Sequence, residues 1–268
     1  MPEPEDVAAL QAEFGLDRPL LQRYFEWLWR ALRLDFGTSV ATGRPVMSEI
    51  ALHLPATLAL AISALFGAVV ISLTLGVLAA TSSKVAGAGL RGITIVLVSM
   101  PSFWLALVLI YIFVLRLRWA RLVGDGSPVD LVLPAITLSL AAGAALGRMV
   151  FERIRAEMSE DHVRLAIAKG VHPLRILLGH IAPRVIGPLA TAWANAFGGL
   201  LGGAVIVESI FGWPGLGQLI LQAIAQRDFP VIQAYLVFMG LIFFATSLLA
   251  DLAVILSDPQ LRRRLSDG

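Results

Sequence analysis

Five long apolar stretches, almost free of charge, punctuate the 268-residue chain: approximately Ala56 to Ala80, Ile93 to Leu115, Leu131 to Val150, Val185 to Val207 and Gln233 to Ile255. Each supplies the roughly 20 helical residues needed to cross a hydrocarbon layer of roughly 30 Å. Gly143, Gly147, Gly198, Gly199, Gly202 and Gly203 are scattered through them, and helices rich in small residues approach closely enough to pack together. The pattern predicts an all-α membrane protein, a polytopic helical bundle. Residues 1–48 read differently. Glu5 to Phe14 has a helical pattern, GLDRP marks a turn, and Leu20 to Leu34 carries Phe25, Leu28 and Leu32 at helical spacing. Its aromatic residues Tyr24, Phe25, Trp27 and Trp29 suit a membrane interface. The expected organisation is an external amphipathic segment, 1–48, followed by a membrane domain, 49–268.

The longest polar interruption runs from Arg148 to Arg184, and a helix, a glycine stop and a second helix are written into it. Ser159 is placed to cap the first helix, Glu160 and Asp161 put negative charge at the positive end of its dipole, and Lys169 sits in its last turn. Gly170 can take the left-handed position that ends it, so the helix is expected to span about ten residues. Val163, Ala166, Ile167 and Gly170 share one face while Arg164 and Lys169 project elsewhere. Pro173 suits the first position of the next helix, where its missing N–H has no partner. Such a segment fits a groove on a soluble partner, or it lies on lipid headgroups.

Charge sets an orientation. Lys84, Arg91, seven cations of the interlude and Arg262, Arg263 and Arg264 flank the spans on one side, against Arg116, Arg118, Arg121 and Arg227 on the other. The excess of positive charge puts the 148–184 loop and the C-terminus in the cytoplasm. Residues 1–55 are then external, yet MPEPEDVAAL has neither the cationic start nor the apolar core of a signal peptide. A further membrane helix upstream is therefore expected. Hydrophobic residues make up 57% of the chain and charged ones 15%, a balance that no soluble domain of this size sustains. Cysteine is absent, which excludes a disulfide framework and thiolate chemistry.

Gly202 to Gly217 reads GGAVIVESIFGWPGLG. A span is expected to end near Val207, Glu208 to emerge from it, and Phe211 and Trp213 to flank a tight turn at Pro214. Gly215 and Gly217 would supply positive φ. The segment reads either as a shaped external gate or as a plain external hairpin with an aromatic belt. His53, His162, His172 and His180 lie outside the five stretches at spacings that match no ligand set, so no metal site is expected. Asp251, near the cytoplasmic end of the last span, is given a structural role. No phosphate-binding loop, zinc-protease motif or nucleophile elbow occurs, so neither catalytic residues nor cofactors are expected.

Taken together, DHVRLAIAKGVHPLRILLGHIAPRVIGPL, GGAVIVESIFGWPGLG and RDFPVIQAYLVF resemble the inner-membrane permeases of ATP-binding-cassette importers for dipeptides, oligopeptides and nickel. LPATLALA at Leu54, SMPSFWLAL at Ser99 and SDPQLRRR at Ser257 extend the likeness. The resemblance implies a type I importer fold whose first span is absent here, a bacterial inner-membrane location, and an interlude that carries the ATPase-coupling helix. Asp161, Val163, Arg164, Ala166, Ile167, Lys169, Gly170 and Pro183 are its candidate residues. Of the wider importer pattern only Ala166, Gly170 and Pro183 match, and Arg164 stands where a glutamate is usual. The implied partners are a second homologous permease in a heterodimer, two ATP-binding subunits and an extracytoplasmic substrate-binding protein, with no nucleic acid. Tyr24 to Val46 looks most like the nickel members, which leaves nickel, a nickel chelate or peptides as cargo. Rival readings are a secondary transporter, which needs paired intramembrane charges, and an intramembrane hydrolase, which needs histidine or paired acids within the spans.

Overall fold

A computed structural model describes residues 19–121 and 127–257, with side chains through residue 249. Glu5 to Phe14, most of the GLDRP turn, the Asp251 side chain and Arg262 to Arg264 lie outside the described residues. The elements are α1 (Leu20–Leu32), α2 (Val46–Thr81), α3 (Lys84–Ser99), α4 (Ser102–Leu109, continued by a π-helical stretch Ile110–Arg116), α5 (Val132–Met158), α6 (Asp161–Ala168), α7 (Pro173–Ile176, continued by a π-helical stretch Leu177–Ile181), α8 (Ala182–Phe211), α9 (Leu216–Gln226) and α10 (Phe229–Ser257). Among the described residues there are no strands, only one isolated bridge between Thr38 and Pro45.

Among the described residues four helical runs are long and apolar enough to cross a membrane: Val46–Thr81, Val132–Met158, Pro173–Phe211 and Phe229–Leu249. The span expected over Ile93 to Leu115 is instead broken. Lys84–Ser99 and Ser102–Arg116 meet at 104°, and count as a fifth span only if taken together. The break falls at Met100 and Pro101, whose ψ values of 124° and 140° leave the helical region. Proline pushes its predecessor out of the α conformation and offers no N–H to the preceding turn. Pro183 acts more gently. Its missing N–H leaves the Gly179 carbonyl without an α-helical partner, and the Leu177–Ile181 turn ahead of it widens.

Helices α2 and α5 pack with almost no side chain between them. A Cβ on Gly76 would stand 2.5 Å from Val150, one on Gly143 2.8 Å from Ile71, and one on Gly67 would strike Ser139. The Ser139 hydroxyl lies 3.0 Å from the Ala64 carbonyl across the same seam. Three apolar clusters follow one another along α2. Val46 and Ile50 join Leu216, Ile220 and Val231 at one end; Leu60 and Ala64 join Leu105, Leu138, Ala204 and Phe211 in the middle; Ala80 joins Val150, Val163, Ile181 and Leu189 at the other end.

Of residues ahead of α2, Ala31 and Phe36 enter the first cluster and Trp27 packs beside it. Tyr24, Phe25 and Trp29 are exposed. Asp35 pairs with Arg30; the Arg30 hydrogen bond first, and then the Gly37 N–H, hold its carboxyl below the ordinary carboxylate range.

Candidate functional site

Two constructions at opposite ends of the bundle carry the residues singled out by sequence. At the end of the third cluster, α6 is an eight-residue helix tied to the body by one side. Val163 and Ala166 are buried among Ile154, Ile176, Ile181 and Val185, while Leu165 and Ile167 are 56% and 57% exposed. The expected grouping of Val163, Ala166, Ile167 and Gly170 on one docking face is therefore split: the first two anchor α6 to the protein itself. Its outward surface carries Asp161, Arg164, Leu165, Ala168 and Lys169, with Ile167 at the flank.

Both ends of α6 depart from or refine the local expectation. Ser159 does not cap it. Its hydroxyl donates back to the Arg155 carbonyl at 3.2 Å, and Glu160, in extended conformation, stands at the cap position without a side-chain bond. The stop matches the expected one: Gly170 has φ +73°, its N–H reaches Ile167 O at 2.9 Å, and Val171 N–H reaches Ala166 O at 3.1 Å. That pair of bonds satisfies carbonyls the helix would otherwise leave open. Pro173 opens the next helix behind His172, whose Nδ1 accepts from Leu174 N.

Glu157 connects this surface helix to two spans. Its Oε1 lies 3.3 Å from His162 Nε2 on α6 and 3.4 Å from Arg184 Nε at the start of α8. One carboxylate at the end of α5 thus lies within ion-pair distance of α6 and α8, next to the exposed Pro183, although its Oε1 and His162 Nε2 make no hydrogen bond among the described residues.

At the opposite end, Glu208 does not emerge. Helix α8 continues to Phe211, and Glu208 is fully buried. Its Oε1 accepts from Thr57 Oγ1 at 2.7 Å and its Oε2 from Gly217 N at 2.6 Å, and Gln218 N–H donates to it as well. Thr57 Oγ1 in turn accepts from Leu216 N at 2.7 Å. The first three N–H groups of α9, which have no partner within the helix, are all satisfied by side chains of α2 and α8. A carboxylate facing the positive end of α9 adds a favourable dipole term.

The glycines serve this contact and not the turn dihedrals expected of them. Positive φ falls on Gly212 at +62°, whereas Gly215 has φ −104°. A Cβ on Gly215 would fall on the Glu208 carboxylate, and one on Gly217 on the Val205 backbone. Phe211 and Trp213 are buried in the middle cluster, Trp213 Nε1 donates to Ala56 O at 2.9 Å, and Pro214 is exposed.

Thr57 escaped the sequence reading, as did Asp228 at the turn into α10. Asp228 Oδ2 accepts from the Ser39 hydroxyl and from Ala41 N, which fastens the loop ahead of α2 to this end. Their only signal lay in the runs LPATLALA and RDFP, where a polar residue beside apolar ones shows neither its depth nor its partner. Among the described residues no cluster of three His, Asp or Glu side chains could hold a metal ion. Among the described residues Glu208 has no histidine, serine or second acid bonded to it, and it works as an acceptor of three hydrogen bonds.

The profile of the family described as binding-protein-dependent transport system inner membrane component matches residues 72–263. A protein of Brucella abortus (strain 2308) named as a peptide transport system permease is 34% identical, over 97% of this chain and 85% of its own length. The glutathione transport system permease protein GsiC of Escherichia coli K12 is 34% identical over 96% of this chain and 84% of its own. Among solved structures, an inward-facing MetNI methionine ABC transporter chain aligns with a TM-score of 0.69 at 20% identity, covering 79% of this chain and 97% of that one. An amino acid ABC transporter chain aligns at 0.55 and 22% identity, covering 81% and 94%. These two likenesses concern the fold.

Proposed function

The chain belongs to the family of binding-protein-dependent transport system inner membrane components, the permease subunits of ABC importers, and from that membership we propose that it forms half of a translocation path for di- or oligopeptides, with α6 docking on a partner ATP-binding subunit. ATP hydrolysis resides in that partner, a second homologous permease completes the path as a heterodimer, and an extracytoplasmic binding protein delivers the cargo. The peptide and glutathione names of its relatives favour a peptide over nickel. In this reading the 148–184 loop is cytoplasmic and the Glu208 end faces outward.

One observation carries the proposal: α6 is anchored by Val163 and Ala166 yet leaves Leu165 exposed on its outward surface and Ile167 exposed at the flank. Exposed apolar side chains on a surface helix suit contact with a partner's groove. The acid usual in the wider importer pattern is absent, so Arg164 and Lys169 meet an acidic rim on the ATPase instead.

The absence of native cysteine allows a clean test. A single cysteine at Leu165 or Ile167 should crosslink to the co-expressed ATPase, and one at buried Val163 should not. Transport into proteoliposomes should require ATP and the ATPase. Uptake driven by an ion gradient without them would instead support a secondary transporter.

A further inference from the structure

Between α2, α3 and α5, at the same end of the bundle as α6, lies a cavity of about 290 Å³ lined by Leu75, Ala79, Arg91, Thr94, Ile95 and Arg148, with Phe151 and Glu152 at its edge. We propose that it binds the phosphate headgroup of an anionic phospholipid from the cytoplasmic leaflet.

Depth is the first argument. Ala79 is two residues from the end of α2, Arg91 is two turns into α3, and Arg148 is near the charged end of α5. In the sequence each arginine marks the passage from a charged segment to an apolar one, ahead of ITIVLV in α3 and after AITLSLAAGAALG in α5, which is the position of a residue that meets lipid phosphates. Basic pockets between transmembrane helices on the cytoplasmic side are suited to such headgroups.

Charge and shape supply the second. The Arg91 guanidinium lies 5.1 Å from the centroid of the Phe151 ring at the cavity edge, and a guanidinium stacked in this way keeps its in-plane N–H fork available to an anion. Arg148 is exposed and pairs with Glu152 at 2.9 Å, itself exposed, its one ion pair among the described residues. A phosphate competes with that carboxylate for one N–H edge of Arg148. The volume lies at the low end of the roughly 300–1,000 Å³ of ligand pockets, which suits a headgroup but not a whole lipid.

The third argument separates a lipid from a free anion. From Ile95 an exposed apolar strip of α3 continues one turn further to Val98. An acyl chain attached to a bound headgroup has an apolar strip beside it; inorganic phosphate gains nothing there.

The test uses the whole importer in phosphatidylcholine nanodiscs with or without phosphatidylglycerol, and native mass spectrometry of retained lipid. Wild type should retain phosphatidylglycerol over phosphatidylcholine. Arg91→Gln with Arg148→Gln should reduce that retention roughly tenfold or more, while Arg91→Lys with Arg148→Lys should keep most of it. Glu152→Gln should raise retention, because it releases Arg148 from its competitor; a merely structural ion pair would give no such gain. Equal retention of the two lipids, or unchanged retention in the double glutamine variant, would overturn the proposal. So would displacement of the lipid by millimolar inorganic phosphate, which would mark a soluble-anion site. None of these outcomes depends on which ATPase or cargo the importer uses.

Discussion

At the scale of single residues, Glu208 shows why burial cannot be read from polarity. After the apolar run GGAVIV a glutamate looks like the end of a span, and only partners distant in sequence, Thr57 and the start of α9, make its burial affordable. The glycines misled for the same reason. Their neighbours pointed to turn dihedrals, while the actual demand at Gly215 comes from a carboxylate on another helix. Gly170, by contrast, was legible, because a left-handed helix stop is a local backbone requirement. The Glu208 assignment makes a quantitative prediction. Glu208→Ala leaves buried donors on Thr57, Gly217 and Gln218 unpaired, at about 1–3 kcal/mol each where water cannot reach. Gly215→Ala should cost about 2 kcal/mol or more by overpacking. In the double variant the added methyl meets no carboxylate, so the two losses should fall short of their sum by more than about 1 kcal/mol. Denaturation of the purified complex in detergent measures this, and strict additivity would mean that the two groups do not touch.

Between elements the decisive quantity is how closely helix axes approach, and hydropathy carries no trace of it. The five apolar stretches all lie in helical runs, yet Ile93 to Leu115 is two helices meeting at 104° because Pro101 interrupts it. The proline was visible in the sequence; the size of the bend was not, because a proline sets where a helix breaks and not the angle at which it resumes. Likewise Gly143 and Gly147 indicated packing without naming α2 as partner. Gly76 and Gly89 separate propensity from packing. Both are helical, and Gly→Ala alone favours a helix by about 1 kcal/mol. Gly89 has no neighbour within 4 Å of a new Cβ, so Gly89→Ala should be neutral or stabilising. Gly76→Ala drives a methyl into Val150 and to 2.8 Å from Gly147 O, and should destabilise by about 1–3 kcal/mol net as α2 and α5 are forced apart. Melting temperatures of the two variants, measured side by side, should move in opposite directions or at least differ in that order.

Across the whole molecule, α2 and α8 join the two constructions. With 36 and 30 residues they are about 54 and 45 Å long, long enough to span the hydrocarbon layer and carry both ends beyond it. Helix α8 begins at the Arg184–Glu157–His162 contact and ends at the Glu208 clamp, so one continuous helix links the two ends. In an inner-membrane importer this layout requires those ends to face different compartments. Arg44, in the loop fastened by Ser39 and Asp228, and Lys169, in the cap of α6, are both exposed markers of their ends. A cysteine replacing Arg44 should react with a membrane-impermeant maleimide on intact spheroplasts, and one replacing Lys169 only in inside-out vesicles made without the ATPase subunits. The orientation rests on twelve cations against four, and reaction of both positions from one side would mean that α2 does not carry the chain across the bilayer.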